Sequence, residues 1–151
     1  MNNKAWFYAP LLEQESAFTK LREIEYFGTV ANMCLNAKYA AALFDGKVQL
    51  HMIDGSEQEE RKQMKLFPDD DRKGRILCHA LTADFLYYGT DLGNVVCVLV
   101  EDWETVSTYS HTVPLSKVFP DVNGTRLIFI DDKKSGFLLT LSSVSTYNVH
   151  N

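Results

Sequence analysis

The histidines are the side chains in this sequence best suited to catalysis or metal binding, and their spacing favours neither. His51, His79, His111 and His150 are dispersed along the chain. Two fall within predicted strands, one follows a predicted strand and one is next to the C-terminus, so no spacing places two of them on one face. We therefore expect structural or surface roles for all four, and no metal site.

The cysteines offer no stronger case for chemistry. Cys34, Cys78 and Cys97 are odd in number, far apart and without a Cys-x-x-Cys pair, which argues against a disulfide framework and a zinc site. Cys78 directly precedes His79, but neighbouring strand residues project to opposite faces, so a Cys/His catalytic pair is disfavoured. We expect buried thiols that pack as small apolar side chains.

Runs of aspartate at 69–71 and 131–132 would suit an acid/base pair or a calcium loop. Turn chemistry accounts for them more simply, because Asp side chains bond to nearby backbone groups and the remaining ligands of a calcium loop do not follow at the required spacing. The sequence contains no Gly-x-Ser-x-Gly elbow, phosphate-binding Gly-Lys-Ser/Thr loop or His-Glu-x-x-His pair. It predicts no catalytic residue, no cofactor and hence no enzyme.

The composition is that of a folded domain of ordinary size. The chain has 151 residues, of which 46% are hydrophobic, enough for a packed core. A net charge of −5 without a dense Lys/Arg block argues against nucleic acid as a partner. No apolar run approaches the roughly 20 residues of a membrane span, and the N-terminus leads into no signal-peptide core. We expect a cytosolic chain without direct membrane insertion.

Short apolar runs broken by Gly, Asp or Asn predict strands and turns rather than helices. The segment 47–53 alternates apolar and polar residues, the segment 39–44 before it is apolar, and Asp45-Gly46 joins them as a type I′ hairpin turn. Asn123-Gly124, although part of a glycosylation sequon, is read as another turn between strands. In the adjacent pair Tyr87-Tyr88, one ring should pack towards each neighbouring sheet.

The strand pattern recurs along the chain. The segment 35–39 is echoed at 81–85, the turn 45–46 is echoed at 91–94, and a third copy begins at 119–124. The period of about 40 to 47 residues is typical of four-stranded propeller blades. We predict an all-β fold, a partial β-propeller with about three four-stranded antiparallel blades plus part of another.

The repeat also predicts where the strands lie. A partial blade at 1–27 would precede blades at 28–67, 75–110 and 113–149. A short helix within 12–25 is the alternative for the first of these segments, because Leu21 and Ile24 have helical spacing. The predicted strands are 4–9, 20–27, 29–35, 39–44, 47–53, 63–67, 75–81, 84–89, 94–100, 104–110, 113–119, 125–130, 136–141 and 144–149.

Charged residues concentrate at 54–73, around the short strand predicted near 64–67. A solvated loop is the simplest interpretation, and an acidic docking site is the sharper one. Loops on rigid scaffolds tend to carry recognition, so we select the loop 56–73 and the turn 131–136 as candidate partner-binding surfaces. The candidates are Glu59, Glu60, Asp70, Asp132 and Lys133.

Several long segments of the sequence resemble the WD repeat-containing protein 19 family, whose members are large subunits of intraflagellar transport complex A. The resemblance extends over about 2–138, and the Ser- and Thr-rich tail 140–151 lies outside it. The segments that show the resemblance are 25–30, 46–53, 78–91, 101–103 and 119–131. The usual Gly-His and Trp-Asp blade markers are missing, so the blade prediction rests on the pattern of strands.

The resemblance implies two amino-terminal propellers followed by a helical solenoid, in a scaffold for retrograde ciliary transport, ciliary membrane-protein entry and cilium assembly. It implies other complex A subunits as partners, a location in the cilium, ciliary base and cytoplasm, and no catalytic residues. These 151 residues would supply only a few blades, so we expect a fragment or an alternatively ended product. An incomplete propeller would leave apolar faces exposed, and we expect it to self-associate.

A self-contained small β sandwich or barrel that binds a peptide or small ligand is the alternative, since regular short strands fit that class too. Shape discriminates between the two. A closed barrel has one contiguous core, whereas propeller blades stack as separate sheets.

Overall fold

The computed structural model describes residues 3–10, 18–53, 64–121, 126–141 and 146–149. Within these ranges the secondary structure consists of strands and one short 3-10 helix at Asp71–Lys73. The strands are β1 Lys4–Pro10, β2 Phe18–Glu25, β3 Asn32–Leu35, β4 Tyr39–Phe44, β5 Lys47–Met52, β6 Lys65–Phe67, β7 Ile76–Leu81, β8 Phe85–Thr90, β9 Asn94–Leu99, β10 Glu104–Ser110, β11 Leu115–Pro120, β12 Arg126–Asp131, β13 Gly136–Leu141 and β14 Thr146–Val149.

The strands form four separate antiparallel sheets. β1 and β2 make a two-stranded sheet, and three four-stranded sheets follow in chain order, β3–β6, β7–β10 and β11–β14. The prediction of an all-β partial propeller is therefore confirmed, and the sandwich or barrel alternative is not favoured, because no sheet among the described strands closes on itself. The division into blades at 1–27, 28–67, 75–110 and 113–149 stays a prediction.

The helix considered for 12–25 is wrong for its described part. Phe18–Glu25 is a strand that pairs with β1 along its length, from Lys4 opposite Glu25 to Pro10 opposite Phe18. Ile24 is buried between exposed Glu23 and Glu25, which is the two-residue alternation of a strand. Pairing with a neighbouring strand therefore overrides the helical spacing of two apolar residues. The rest of that segment lies outside the described residues.

Turn chemistry sets the hairpin formed by β4 and β5. Asp45 has φ 53° and Gly46 has φ 73°, so both central residues of the turn are in the left-handed region that a type I′ turn requires. This confirms the prediction for Asp45-Gly46. The turn predicted at Asn123-Gly124 lies outside the described residues.

Each sheet packs against the sheets that precede and follow it in the chain. The two middle sheets therefore bury both faces, and the first and last sheets bury one face each. The interface between the first two sheets brings Phe7 and Ile24 against Ala40 and Phe44. The core between the second and third sheets includes Leu43, Val48, Leu50, Ile76, Leu86 and Val98. A third cluster joins the last two sheets through Cys78, Tyr87, Val95, Leu115, Leu127 and Phe129. The result is a row of sheets packed face to face.

The neighbouring tyrosines of β8 show the alternation directly. Tyr87 belongs to the cluster shared with the last sheet, whereas the Tyr88 ring lies 6.2 Å from the ring of Phe67 in the preceding sheet. The prediction that the two rings project to opposite sheets is confirmed. Both rings are almost fully buried. β8 is therefore a central strand with a packed neighbour on each side.

Candidate functional site

One edge of the row of sheets is built from alternating turns and linkers. The turn between β4 and β5 contacts the start of β7, where the backbone N–H of Ile76 donates to the carbonyl of Gly46 at 2.8 Å, and the linker before it, where Arg75 lies close to Asp45. That linker in turn contacts the β8–β9 turn, where the N–H of Arg75 donates to Asp91 Oδ1 at 2.9 Å. The β-sheet turns and the inter-sheet linkers thus form a continuous surface.

The same arrangement repeats between the last two sheets. The N–H of His111 donates to the carbonyl of Gly93 at 2.8 Å, and the N–H of Asp132 donates to the carbonyl of Pro114 at 2.8 Å. We name this surface the charged rim. It comprises the segments 45–47, 69–75, 91–93, 111–114 and 131–135.

Asp70 lies on the charged rim, with its carboxylate already occupied. It accepts from the N–H of Arg72 at 2.9 Å as the N-cap of the short helix, and it bonds to the Arg72 guanidinium at 2.8 Å. The bond from Arg72 lowers the pKa of the partly exposed Asp70 carboxyl. Lys73 pairs with Asp69 at 2.8 Å, and Lys47 lies 3.5 Å from Asp71. The run of aspartates is therefore largely neutralised locally, and the predicted turn chemistry is what is observed.

Asp132 and Lys133 lie in the β12–β13 turn of the same rim, and both side chains are exposed. The preceding residue holds this turn in place. Asp131 accepts from the N–H of Lys133 at 3.0 Å and from that of Ser135 at 2.9 Å through Oδ1. The turn therefore presents one acidic and one basic side chain on a fixed backbone.

The buried carboxylate of Asp131 also bonds to His111. The Nε2 of His111 donates to Asp131 Oδ2 at 2.9 Å, and the Asp131 side chain is 4% exposed. The His111 bond is the main cause that lowers the pKa of Asp131. The imidazole packs against the rings of Phe129 and Phe137, with centroids 5.2 and 4.6 Å away. A buried hydrogen bond beside aromatic rings therefore anchors the turn that carries two of the candidate residues.

The structure brings three of the five candidates onto one surface. Asp70, Asp132 and Lys133 share the charged rim, whereas Glu59 and Glu60 lie outside the described residues. Sequence reasoning missed other members of the rim, including Asp45, Arg75 and Asp91. Arg75 contacts Asp45 at 3.6 Å. The signal that could have found them is the repeat itself, because Asp45 and Asp91 occupy matching turns in successive copies.

A second rim lies at the opposite ends of the strands. Asn36 donates through Nδ2 to the carbonyl of Thr82 at 2.9 Å, linking the β3–β4 turn to the β7–β8 turn. Lys38 and Asp84 are exposed here and border a cavity of about 280 Å³ with Glu101. This rim offers a surface of similar polarity on which matched control substitutions can be made.

The His and Cys side chains considered for catalysis or metal binding take part in the packing of the sheets. His79 donates through Nε2 to the carbonyl of Ala41 at 2.9 Å, across the interface between two sheets. Its neighbour Cys78 lies in the cluster on the other face of the strand, which confirms that the two side chains point apart. Burial raises the pKa of Cys78 to about 11 and that of Cys97 to about 12, far above the range of a reactive thiol. Cys34 is half-buried.

His51 also takes part in a structural contact. The Tyr26 hydroxyl lies 2.7 Å from His51 Nε2, while His51 Nδ1 lies 2.8 Å from the carbonyl of Met52. Because the carbonyl can only accept, Nδ1 donates to it, and a neutral ring then accepts from Tyr26 through Nε2. His150 lies outside the described residues. Within the described ranges, no three His, Cys, Asp or Glu side chains are grouped as metal ligands would be.

No helix in the described ranges has the length and apolar character needed to cross a membrane.

Solved structures with a similar fold are β-propellers of WD-repeat type. The β-propeller domain of Cps50 (Swd1) from Myceliophteria thermophila has a TM-score of 0.67 at 14% identity, covering 87% of this chain and 48% of that domain. U3-55K has a TM-score of 0.67 at 13% identity, covering 87% of this chain and 43% of that one. Kluyveromyces lactis Hsv2p has a TM-score of 0.64 at 10% identity, covering 87% and 40%. These likenesses concern the fold alone.

Relatives by sequence are much closer. WD repeat-containing protein 19 of Homo sapiens is 52% identical over 151 residues, covering 99% of this chain and 11% of the relative. WD repeat-containing protein dyf-2 of Caenorhabditis elegans is 33% identical over 113 residues, covering 75% of this chain and 8% of the relative. The chain thus spans about a tenth of the length of these relatives.

A family model described as the WDR19 second beta-propeller matches residues 1–151. The resemblance drawn from the sequence is confirmed, but its limit at about residue 138 is wrong, because the match includes the tail at 140–151. Within that tail β14 pairs with β13 as the fourth strand of the last sheet. The tail is therefore recognised as part of the last sheet by its strand pairing and not by a distinctive sequence segment. Taken with the row of four-stranded sheets, the match shows that this chain belongs to the WD repeat-containing protein 19 family, in the region of the second β-propeller.

Proposed function

We propose that the chain is part of a non-catalytic scaffold of intraflagellar transport complex A, acting in retrograde ciliary transport and cilium assembly. The observation that carries the proposal is its match to the second β-propeller of the WD repeat-containing protein 19 family over residues 1–151. Propellers present turns and linkers on rigid sheets, which is how many scaffold proteins offer surfaces for recognition. The other subunits of complex A are the proposed partners, and the cilium, ciliary base and cytoplasm are the proposed locations.

A scaffold role agrees with how the potentially reactive side chains are used. His79 and His111 each hold a neighbouring element through a hydrogen bond, to Ala41 and Asp131 respectively. The buried thiol of Cys78 has a pKa raised to about 11, so its thiolate is scarce at neutral pH. These groups stabilise the contacts between sheets and turns, and this use of them supports a non-catalytic function.

The charged rim is the surface we propose for partner contacts. Asp132 and Lys133 are exposed on a turn that the buried pair of Asp131 and His111 holds in place. A fixed backbone lowers the ordering cost of binding, because little conformational freedom remains to be lost. Glu59 and Glu60 remain candidates from the sequence.

The experiment is an affinity purification from ciliated cells with quantitative mass spectrometry. The chain is expressed as the wild type, as Asp132→Lys with Lys133→Glu, and as the control Lys38→Glu with Asp84→Lys on the opposite rim. The first pair exchanges charges on the rim without changing net charge, and so does the control. A version extended at both ends is purified in parallel, since contacts of the whole protein can require flanking segments.

We expect complex A subunits to co-purify with the wild type and the control, and recovery to fall at least about tenfold when the rim charges are exchanged. Recovery of no complex A subunit by either the chain or its extended version would refute the scaffold proposal. Equal recovery by both exchanged variants would refute the charged rim as the contact surface and leave the scaffold role to another face.

A further inference from the structure

The turn between β8 and β9 differs in character from the two matching turns of the charged rim. The β4–β5 turn is formed by Asp45 and Gly46, and the β12–β13 turn exposes Asp132 and Lys133. Leu92, in the middle of the β8–β9 turn, is apolar and 55% exposed. Its neighbours in the rim are the segments 69–75 and 111–114, which are both described. Of the three matching turns, this one places an apolar side chain at the surface.

Hydrogen bonds on both sides fix the backbone that carries Leu92. On one side, the N–H of Asp91 donates to the carbonyl of Arg75 at 2.9 Å, and the N–H of Arg75 donates to Asp91 Oδ1 at 2.9 Å. On the other side, the carbonyl of Gly93 accepts from the N–H of His111 at 2.8 Å. A Cβ at Gly93, where φ is 86°, would clash with the carbonyl of His111, so the turn and the linker are in close contact. The backbone of Leu92 therefore has little conformational freedom to lose on binding.

The apolar surface continues from Leu92 into the linker before β11. Val113 and Pro114 of that linker are half-buried, and a Cβ at Gly93 would lie 2.9 Å from the carbonyl oxygen of Val113. At the far end of the linker, the N–H of Asp132 donates to the carbonyl of Pro114 at 2.8 Å. We name the surface formed by Leu92, Val113 and Pro114 the rim patch. It extends from the β8–β9 turn to the β12–β13 turn.

The charged side chains on the two sides of the rim patch differ in how they are paired. On the side of the linker before β7, the cations already contact carboxylates of the rim; they are Arg72, Lys73 and Arg75. On the side of the β12–β13 turn, the exposed side chains of Asp132 and Lys133 have no hydrogen bond or ion pair within the part of the chain that the structure describes. These two side chains are therefore available for ionic contacts with a partner.

We propose that Leu92 inserts into an apolar pocket of a complex A subunit, with the rim patch at the centre of the contact. This inference rests on the proposed function and adds the chemistry of the partner. The pocket is flanked by a basic group that faces Asp132 and an acidic group that faces Lys133, because complementary charges fix the register of an interface. An apolar centre with a polar surround is the usual arrangement of protein interfaces, and the groups buried at the centre contribute most of the binding energy.

The test uses the version of the chain that is extended at both ends, in the same affinity purification as the rim variants. Leu92→Ser removes the apolar side chain, whereas Leu92→Met keeps one of similar volume. Leu35→Ser is the matched control, because Leu35 is 62% exposed and directly precedes Asn36 on the opposite rim. Each purification is performed at about 0.15 M and about 0.5 M salt, since salt screens exposed charges much more than apolar contacts. Circular dichroism of each variant checks that the strands are retained.

We expect Leu92→Ser to reduce the recovery of complex A subunits at least about fivefold at both salt concentrations, and Leu92→Met and Leu35→Ser to match the wild type. The loss caused by Asp132→Lys with Lys133→Glu should instead become smaller at the higher salt concentration.

Three results would contradict the inference, and they differ in what they leave standing. Recovery by Leu92→Ser equal to that by Leu35→Ser would overturn it and leave the proposed function intact. A loss for Leu92→Ser that disappears at the higher salt concentration, or that Leu92→Met shares in full, would overturn the apolar pocket. Recovery of no complex A subunit by the wild type would refute the proposed function and this inference with it.

Discussion

The Nε2 of His111 lies 2.9 Å from Oδ2 of Asp131, and this bond fastens the linker that enters the last sheet to the turn between the second and third strands of that sheet. The two groups are 20 residues apart in sequence and are enclosed by aromatic rings. Through Oδ1 the same carboxylate accepts two backbone N–H groups of its own turn. One buried side chain therefore fixes both the shape of the turn and its position on the sheet.

Replacing Asp131 should destabilise the fold much more than replacing the residue beside it. Asp131→Ala removes the partner of His111 and the acceptor of two turn N–H groups, leaving buried donors unpaired. Asp132→Ala, at an exposed position, should change the free energy of unfolding by about 0.5 kcal/mol or less. Urea unfolding of the two variants checks this. Equal midpoints would show that the His111 bond contributes little to stability.

A methyl group at Gly89 should disrupt the packing of β8 on β11. A Cβ there would lie 2.7 Å from Leu115 Cβ and 2.9 Å from Cys78 Sγ, so both neighbours would have to move. We expect Gly89→Ala to lower the free energy of unfolding by about 1–3 kcal/mol. Gly136→Ala is the matched control, because no atom lies within 4 Å of its added Cβ. A Gly89→Ala protein as stable as that control would be inconsistent with the close approach of the two sheets.

The hydroxyl of Tyr26 should matter for holding the first sheet in place. It lies 2.7 Å from His51 Nε2 in a buried site, and His51 belongs to the next sheet. Tyr26→Phe should cost about 1–2 kcal/mol, because it removes the hydroxyl and leaves a buried ring nitrogen with one bond fewer. Tyr8→Phe, which removes a hydroxyl from an exposed ring, should be close to neutral. Thermal unfolding monitored by circular dichroism distinguishes the two outcomes, and equal effects would count against the contact.

The stability of the chain should fall in mild acid, in part because of His79. Burial lowers the pKa of His79 below its ordinary value of 6.5, since the charged ring is disfavoured in the folded protein. The unfolded chain therefore binds a proton at His79 more readily than the folded chain does. The stability contributed by the buried neutral ring is fully present above pH 6.5 and decreases as the pH falls below that value.

His79→Gln retains a side-chain N–H for the carbonyl of Ala41 and has no titrating group. We expect the free energy of unfolding of this variant to change less between pH 7.5 and 5 than that of the wild type. Denaturant titrations at several pH values measure the difference. Parallel pH profiles for the two proteins would mean that the ring is accessible to protonation in the folded state.

Local features of the sequence predicted the strands well, because they depend on neighbouring residues. β4, β10 and β13 lie where the alternation and the turn residues place them, and the Asp45-Gly46 turn has the predicted conformation. The opposite orientations of Cys78 and His79 follow from the two-residue period of a strand. Such inferences need no knowledge of which sheets are neighbours.

What the sequence did not reveal depends on contacts between distant segments. His111 and Asp131 have no common local pattern, and the pair exists because the linker before β11 passes over the β12–β13 turn. The helical spacing around Ile24 was misleading for a related reason, since the conformation of this segment depends on pairing with another strand, β1, and not on its own residues alone. The contact of Asp71 with Lys47, at 3.5 Å, likewise joins two separate segments of the chain.

The stacking of separate sheets is tested most directly at Tyr87 and Tyr88. A nuclear Overhauser experiment on selectively labelled protein measures which side chains lie close to each ring. The stacked arrangement predicts cross-peaks from the Tyr87 ring to Leu127 methyl groups of the last sheet and from the Tyr88 ring to the ring of Phe67 in the preceding sheet. Cross-peaks from both tyrosines to the same neighbouring sheet would contradict it.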